Sequence, residues 1–289
     1  MQKKETIILP LIQQAIKEDV GDGDHTSLAT VPPSATGKAV LIAKEDGIIA
    51  GMEIAELVYK TIDPNTIFTT LKQDGDKINI GDKIFEVEGL SRSILTAERL
   101  SLNYIQRMSG IATHTRRLVQ AIKAAGSTTT LLDTRKTTPN NRIFEKIAVR
   151  IGGGSNHRFG LFDMILIKDN HIDFAGGTVK ALDKVKDYLS NTDKQLKVEI
   201  EVRTMQELQE VMEWGERNPN GLHRIMLDNF TPDTLTQALS IIAKKYETEA
   251  SGGITEKNLF DYAVTNVDFI SIGALTHHIK ALDLSLRAI

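Results

Sequence analysis

At 289 residues the chain exceeds one average domain and falls short of three, so two unequal domains fit its length best. Apolar residues at 41% and charged residues at 25% are ordinary for a chain able to bury a large core, which argues against disorder. With 35 Lys plus Arg against 38 Asp plus Glu, the formal charge of -3 supplies no overall basic field for nucleic acid or anionic membrane, and the lack of cysteine excludes disulfides, thiolate metal sites and thiol nucleophiles.

A cysteine-free chain suits a reducing, cytoplasmic compartment. The first twenty residues carry a short apolar run soon followed by acidic residues, unlike a signal peptide, and no apolar stretch elsewhere is long enough to span a membrane. From Leu9 to Val20, Leu11, Ile12, Ala15 and Ile16 recur at helical spacing, and Gly21-Asp22-Gly23-Asp24 stops that helix. GKAVLIAKEDGIIAG and DKIFEVEG then mix β-branched runs with Gly and Asp turns, as in a small antiparallel or mixed sheet. Residues 1–110 therefore read as an α+β domain. Leu95 to Ala125 is helical in period, with a break expected near Ser109-Gly110, and carries the chain out of that domain.

The rhythm then changes. TLLDTR, DMILIKDN, KVEIEV, RIMLDN, ETEASGG and DFISIG alternate with helical stretches, a β/α repeat. Asp133, Lys168, Glu201, Asp228, Ser251 and Gly273 stand near the C-terminal ends of these strands, 35, 33, 27, 23 and 22 residues apart, each gap the length of one βα unit. In a closed or nearly closed parallel barrel such ends converge on the face that carries active sites. An open doubly wound sheet is the alternative, although no GxGxxG marks a first βα turn.

Adjacent strand residues point to opposite faces, so Arg135 and Lys136 face one ligand only from a βα loop. Arg offers a planar fork for carboxylate and Lys a point charge for phosphate oxygens; a solvated basic turn is the plainer reading. Within 37 residues lie Arg135, Lys136, Arg142, Lys146, Arg150, Arg158 and Lys168 with His157 and His171, a local positive surplus around the glycine-rich GGGSNH. Lys168 ends an apolar strand, where burial is costly unless an anion or carboxylate meets it. Either histidine serves equally well as a structural hydrogen-bonding residue.

KVEIEV puts Glu199 and Glu201 on one strand face, and Asp228 ends the next strand. Such carboxylates suit Mg²⁺ held partly through water, a cationic transition state, or simple pairing with the basic cluster; zinc is disfavoured because no close histidine pair joins them. SGGI at Ser251 to Ile254 and SIGA at Ser271 to Ala274 end the last two strands, where glycine loops and helix N-termini behind them often cradle phosphate, or merely turn tightly. Carboxylate, phosphate and metal or cation recognition together point to phosphoribosyl transfer from a pyrophosphate donor to an aromatic carboxylate.

The motifs EDVGDGDHTS, ERLSLNYIQRMSGIATHT, DTRKTTP, GGGSNHRFGLFDMILIKDNH, VEIEV, IMLDNF, EASGGI and ISIGALTH, in this order, resemble quinolinate phosphoribosyltransferase, also called nicotinate-nucleotide pyrophosphorylase (carboxylating), over nearly the whole chain. That resemblance implies an N-terminal α/β sandwich domain, 1–110 joined by 275–289, and a partial, TIM-like open α/β barrel, 111–274. It implies a pentosyltransferase that joins quinolinate and phosphoribosyl pyrophosphate into nicotinate mononucleotide, pyrophosphate and CO₂, a step of NAD synthesis. It also implies a homodimer, open to higher assembly, in which Arg99 completes the neighbour's site. Arg99, Arg135, His157, Arg158 and Lys168 resemble the quinolinate-binding residues. Lys136, Glu201 and Asp228 resemble the donor and Mg²⁺ residues, with Thr134, Ser251, Gly252, Gly253, Ile272, Gly273 and Ala274 around the donor phosphates.

Asn140-Asn141-Arg142 stands where the family usually shows Gly-Leu-Arg, but Asn tolerates positive φ, so the turn can survive. WGERNPNGLHR is longer than usual and His278 replaces a small residue. The rival readings are a paralogue with another substrate such as nicotinate, a barrel lyase or aldolase with Lys168 as its Schiff base, and a noncatalytic anion-binding protein.

Overall fold

A computed structural model describes residues 2–289, with side chains from Thr6 onward. By contact the chain separates into two compact units: the chain up to Arg116 with Thr137–Gly153 and Leu275–Ile289, and Arg117–Lys136 with Gly154–Ala274.

The first unit opens with α1 (Gln2–Val20) and α2 (His25–Thr30). Gly21, at φ 58, ends α1, and Asp24 caps α2 by accepting the Ser27 N–H at 3.0 Å. Its antiparallel sheet uses β1 (Thr36–Ala43), β3 (Ile67–Thr70), β5 (Lys83–Leu90) and β12 (Leu284–Ala288) in the order β12-β1-β5-β3. Beside it β2 (Gly47–Ile48) pairs with β4 (Lys77–Ile78), and α3 (Met52–Ile62) buries Ile54, Ala55, Val58 and Tyr59. Tyr59, Phe68 and Phe85 form one aromatic cluster, with Phe68 and Phe85 centroids 4.5 Å apart.

The long helix α4 (Ser91–Ala124) runs unbroken through Ser109-Gly110, contrary to the break expected there. Gly110 is small for packing: a Cβ at this position would collide with the Lys280 carbonyl. Ser109 Oγ accepts the Ala50 N–H at 2.9 Å. Gly110→Ala is therefore expected to lower stability by about 1–3 kcal/mol despite alanine's better helix propensity, read from the urea midpoint; a neutral or stabilising effect would contradict this packing.

The second unit holds parallel strands β6 (Thr130–Leu132), β7 (Ile165–Ile167), β8 (Val198–Val202), β9 (Arg224–Asp228), β10 (Glu247–Ser251) and β11 (Phe269–Ser271), in the order β6-β11-β10-β9-β8-β7. Each strand lies beside its neighbour in sequence, with the first and last joined and one gap between β6 and β7; a doubly wound sheet would reverse its order midway. Among the described residues the free edge of β6 meets an isolated parallel bridge, Leu132 to Ser155, in place of a strand, so the barrel is open there. Its helices are α6 (Asp169–Ala175), α7 (Thr178–Thr192), α8 (Met205–Arg217), α9 (Pro232–Ile242) and α10 (Leu259–Ala263), and α11 (Ala274–His277) follows β11.

Helix α5 (Arg142–Ile151) belongs by contact to the first unit, although it lies within the span 111–274 assigned to the barrel. Glu145, 1% exposed, accepts from Arg107 at 2.9 and 2.6 Å, and Phe144 meets Tyr104 with centroids 4.7 Å apart. Periodicity marks which face of a helix is apolar, not which sheet or helix will cover it.

Candidate active site

Every expected site residue except Arg99 lies in the second unit. Because β6 ends at Leu132, Arg135 and Lys136 stand exposed on the following loop, and Thr134 Oγ1 accepts the Lys136 N–H at 3.0 Å. Asp133 is fully buried; one carboxylate oxygen accepts the His157 N–H at 2.9 Å and the other the Asn156 amide at 2.5 Å. It thereby ties this loop to the glycine-rich one.

Arg158, half-buried, donates from Nη1 to the Met164 carbonyl at 3.1 Å. Burial and the nearby Arg135 charge hold its guanidinium below the ordinary value, so two cations face one region. Lys168 precedes α6 with its side chain 45% exposed, and Nζ reaches Glu201 Oε2 at 2.8 Å. The carboxylate expected beside that lysine is present. His171 is a capping residue, its Nδ1 accepting the Lys168 N–H at 2.9 Å.

Glu199 and Glu201 share a face of β8 but not an environment: Glu199 is sealed in the barrel, and only Glu201 meets Lys168 at the strand end. At the end of β9, Asp228 accepts from Ser251 Oγ at 3.0 Å and from Asn229 Nδ2 at 2.6 Å. Asn229 itself has φ 57, and a Cβ on Gly252, at φ 86, would collide with the Asn229 side chain. Gly253, at φ 61, has open space where its Cβ would be, so a ligand can approach the main chain. The bare face of Gly273 accommodates Lys136, whose Cδ would stand 2.9 Å from an added Cβ. Buried Ile272 donates its N–H to the Leu132 carbonyl at 3.1 Å, and Ala274 begins the short α11. No helix N-terminus directly follows SGG, since α10 starts only at Leu259. Any phosphate cradle there must be made by loop amides.

Sequence reasoning missed the charged barrel interior. His157 Nε2 lies 3.0 Å from Glu199 and 3.5 Å from Glu249, Arg224 Nη1 donates to Glu249 at 2.9 Å, and the Arg224 guanidinium stacks 3.9 Å from the Phe269 ring centroid. Burial opposes charging His157, but the two glutamate carboxylates beside Nε2 push it up to about 9. Burial and then the Glu249 charge push Glu199 up to about 7. Glu249 stays below the usual carboxylate value because His157, Ser271 and Arg224 outweigh its burial.

The raised imidazole value favours a doubly protonated ring, whereas the Arg158 N–H, 2.7 Å from Nδ1, needs that nitrogen's lone pair. Nδ1 has one lone pair, so accepting that N–H leaves Nε2 to carry the ring proton toward the two glutamates. His157, Glu199 and Glu249 also offer three ligand atoms within 4.8 Å of one another. Arg224 already supplies the cation there. The signal in the sequence was Glu249 in ETEAS, a charge at an inward position of a strand with period two.

The basic density seen in the sequence divides between the units. Arg142, Lys146 and Arg150 belong to α5 in the first unit, and Lys146 is 3% exposed. Asn140 does take φ 61, so the departure from glycine preserves the turn. Arg99 is exposed on α4.

Residues 111–287 match the quinolinate phosphoribosyl transferase C-terminal domain, and residues 24–109 match its N-terminal domain. The chain is 46% identical over 287 residues to "Quinolinate phosphoribosyltransferase [decarboxylating] 1b" of Nicotiana tabacum, covering 96% of this chain and 81% of that one. It is 40% identical over 276 residues to the "Probable nicotinate-nucleotide pyrophosphorylase [carboxylating]" of Bacillus subtilis, covering 96% and 91%. The solved nicotinate-nucleotide pyrophosphorylase of Francisella tularensis superposes with a TM-score of 0.89 at 42% identity, covering 99% of this chain and 97% of that one. With both of its domains matched in order, the chain belongs to the quinolinate phosphoribosyltransferase family.

Proposed function

We propose that this chain transfers the phosphoribosyl group of phosphoribosyl pyrophosphate to quinolinate, with loss of CO₂, as its relatives are named for doing. The observation that carries this reading is the pair Arg135 and Arg158, close enough for one cation to disfavour the other, with Lys168 at the end of β7. Such a cluster suits a dianion better than a monocarboxylate.

Arg135, Arg158 and Lys168 hold the two ring carboxylates and aim the pyridine nitrogen at the anomeric carbon, and His157 stands behind Arg158, accepting its main-chain N–H at 2.7 Å. Lys136 draws the pyrophosphate oxygens, and Thr134, Ser251 and the main chain of Gly252, Gly253, Ile272, Gly273 and Ala274 hold the donor phosphates. A bond forms from ring nitrogen to the anomeric carbon as the bond to pyrophosphate breaks. Glu201 and Asp228 face the cationic sugar that develops. The carboxylate next to the cationic ring nitrogen then leaves as CO₂, its bonding electrons passing into the ring, and a proton from water takes its place.

Glu201 and Asp228 are also hard oxygen donors at neighbouring strand ends, which fits a Mg²⁺ held partly through water. When bound, the ion neutralises the pyrophosphate. A Schiff-base aldolase is disfavoured because Lys168 Nζ is engaged by Glu201 at 2.8 Å.

The test mixes purified protein, phosphoribosyl pyrophosphate and Mg²⁺ with quinolinate or with nicotinate. Nicotinate mononucleotide and CO₂ are expected from quinolinate; turnover of nicotinate alone would overturn the reading. Omitting Mg²⁺ with chelator present is the control for the metal.

Two chains pair in this proposal, with Arg99 of the partner subunit completing each site, as its exposure on α4 allows. Mixing inactive Arg99→Ala and Lys136→Ala proteins is then expected to restore up to about a quarter of wild-type activity per site, from random exchange of subunits. A mixture that stays inactive after subunit exchange has been verified rejects the sharing. The chain acts in the cytoplasm in this reading, since it has no cysteine and no helix among its described residues is long and apolar enough to cross a membrane.

A further inference from the structure

His157 does not present a ring nitrogen to the barrel mouth. Its side chain is 6% exposed, Nε2 lies against Glu199 and Glu249, and Nδ1 accepts the main-chain N–H of Arg158 at 2.7 Å. Asp133 holds the His157 N–H at 2.9 Å from the other side. Arg158, in turn, is fixed at two points: its main chain by the imidazole and its guanidinium by the Met164 carbonyl at 3.1 Å. A continuous chain of contacts therefore runs from the barrel interior to a cation of the anion site.

We propose that Glu199 and Glu249 are positioning residues that act through His157, clamping its Nε2 so that Nδ1 sets the Arg158 main chain and, with it, the direction of the guanidinium toward the acceptor's carboxylate. This rests on the reading that Arg158 binds the acceptor. The two glutamates come from different strands, β8 and β10, and both are 0% exposed. An imidazole met from two sides has little freedom to rotate, and neither carboxylate can reach solvent or substrate itself. Arg224 balances the charge of Glu249 at 2.9 Å. The arrangement has the form of a fixed second layer supporting a ligand-binding arginine, where small misplacement costs binding steeply.

The test is a double-mutant cycle on steady-state constants, with binding of the carboxylate acceptor by calorimetry. Glu199→Leu is expected to raise the acceptor's KM roughly 10- to 100-fold while the donor's KM stays within about twofold. Glu199→Gln, which keeps an oxygen acceptor for Nε2–H, restores most of the loss. His157→Gln keeps the reach to the glutamates but removes Nδ1, and it should match Glu199→Leu, with the double variant no worse than either single one. Losses that multiply, or acceptor and donor constants that rise together, would overturn the proposal and leave the glutamates as structural groups only. Should Glu199→Leu fail to fold, Glu249→Leu takes its place in the cycle: a rise in the acceptor's KM that His157→Gln does not add to supports the clamp, and an unchanged acceptor KM rejects it. The wild type is assayed with quinolinate and nicotinate in parallel, and the cycle is measured on whichever acceptor it uses. Failure of the substrate reading thus shows in the wild type, and failure of the clamp shows only in the variants.

Discussion

Arg135→Ala is expected to raise the quinolinate KM about 30-fold, roughly 2 kcal/mol, with the phosphoribosyl pyrophosphate KM within about twofold. The magnitude follows from what is left behind. A carboxylate that loses a charged hydrogen-bond partner inside a partly desolvated site keeps its desolvation cost. The selectivity follows from place, since Arg135 lies next to Arg158 in charge, whereas Lys136 lies against Gly273. Arg135→Lys should recover only part of the loss, because an ammonium lacks the two parallel donors of a guanidinium. Equal rises in both constants, or none, would take Arg135 out of the acceptor pocket.

Arg224→Met is expected to destabilise the protein by about 3–5 kcal/mol in urea unfolding. Methionine keeps an apolar stem near Phe269 but removes the cation that contacts Glu249 at 2.9 Å and Glu247 at 2.9 Å. Glu249 and Glu199 are both 0% exposed, so two carboxyl groups would share the interior with no permanent positive charge. Protonation of one caps the cost. Adding Glu249→Gln to Arg224→Met should therefore return part of the stability, since it removes the uncompensated charge. A single-variant loss under about 1 kcal/mol would mean that the interior is wetter than the burial of these groups indicates.

Much of the barrel was legible because its strands announce themselves in one dimension. TLLDTR, DMILIKDN, KVEIEV, RIMLDN, ETEASGG and DFISIG each contain one of β6 to β11, and their polar C-terminal residues fall at βα intervals. The weak elements were β3 and the two-residue β4, which fall outside the segments that the sequence marks as strands. Gly110 was read as a break because glycine lowers helix propensity. Its actual cause, the Lys280 carbonyl, lies 170 residues away in sequence. For the site, Arg135, Lys136, Lys168, Glu201 and Asp228 were visible as charges at or just after strand ends, and Arg158 as a basic residue following the glycine-rich loop. The roles of Glu249 and Arg224 were not, because a charge within a strand reads as solvent-facing until its neighbours are known.

By itself, then, the sequence determined the repeat of strands and helices, the cationic character of the Asp133 to His171 stretch and the family, all of which are carried by local order and residue type. Tertiary structure alone decided which members of that stretch work together. It sent Arg142, Lys146 and Arg150 to the first unit, turned His157 inward to Glu199 and Glu249, and set Lys168 on Glu201. The physical reason is that charge is a property of a residue, whereas desolvation and pairing are properties of the neighbours that folding supplies.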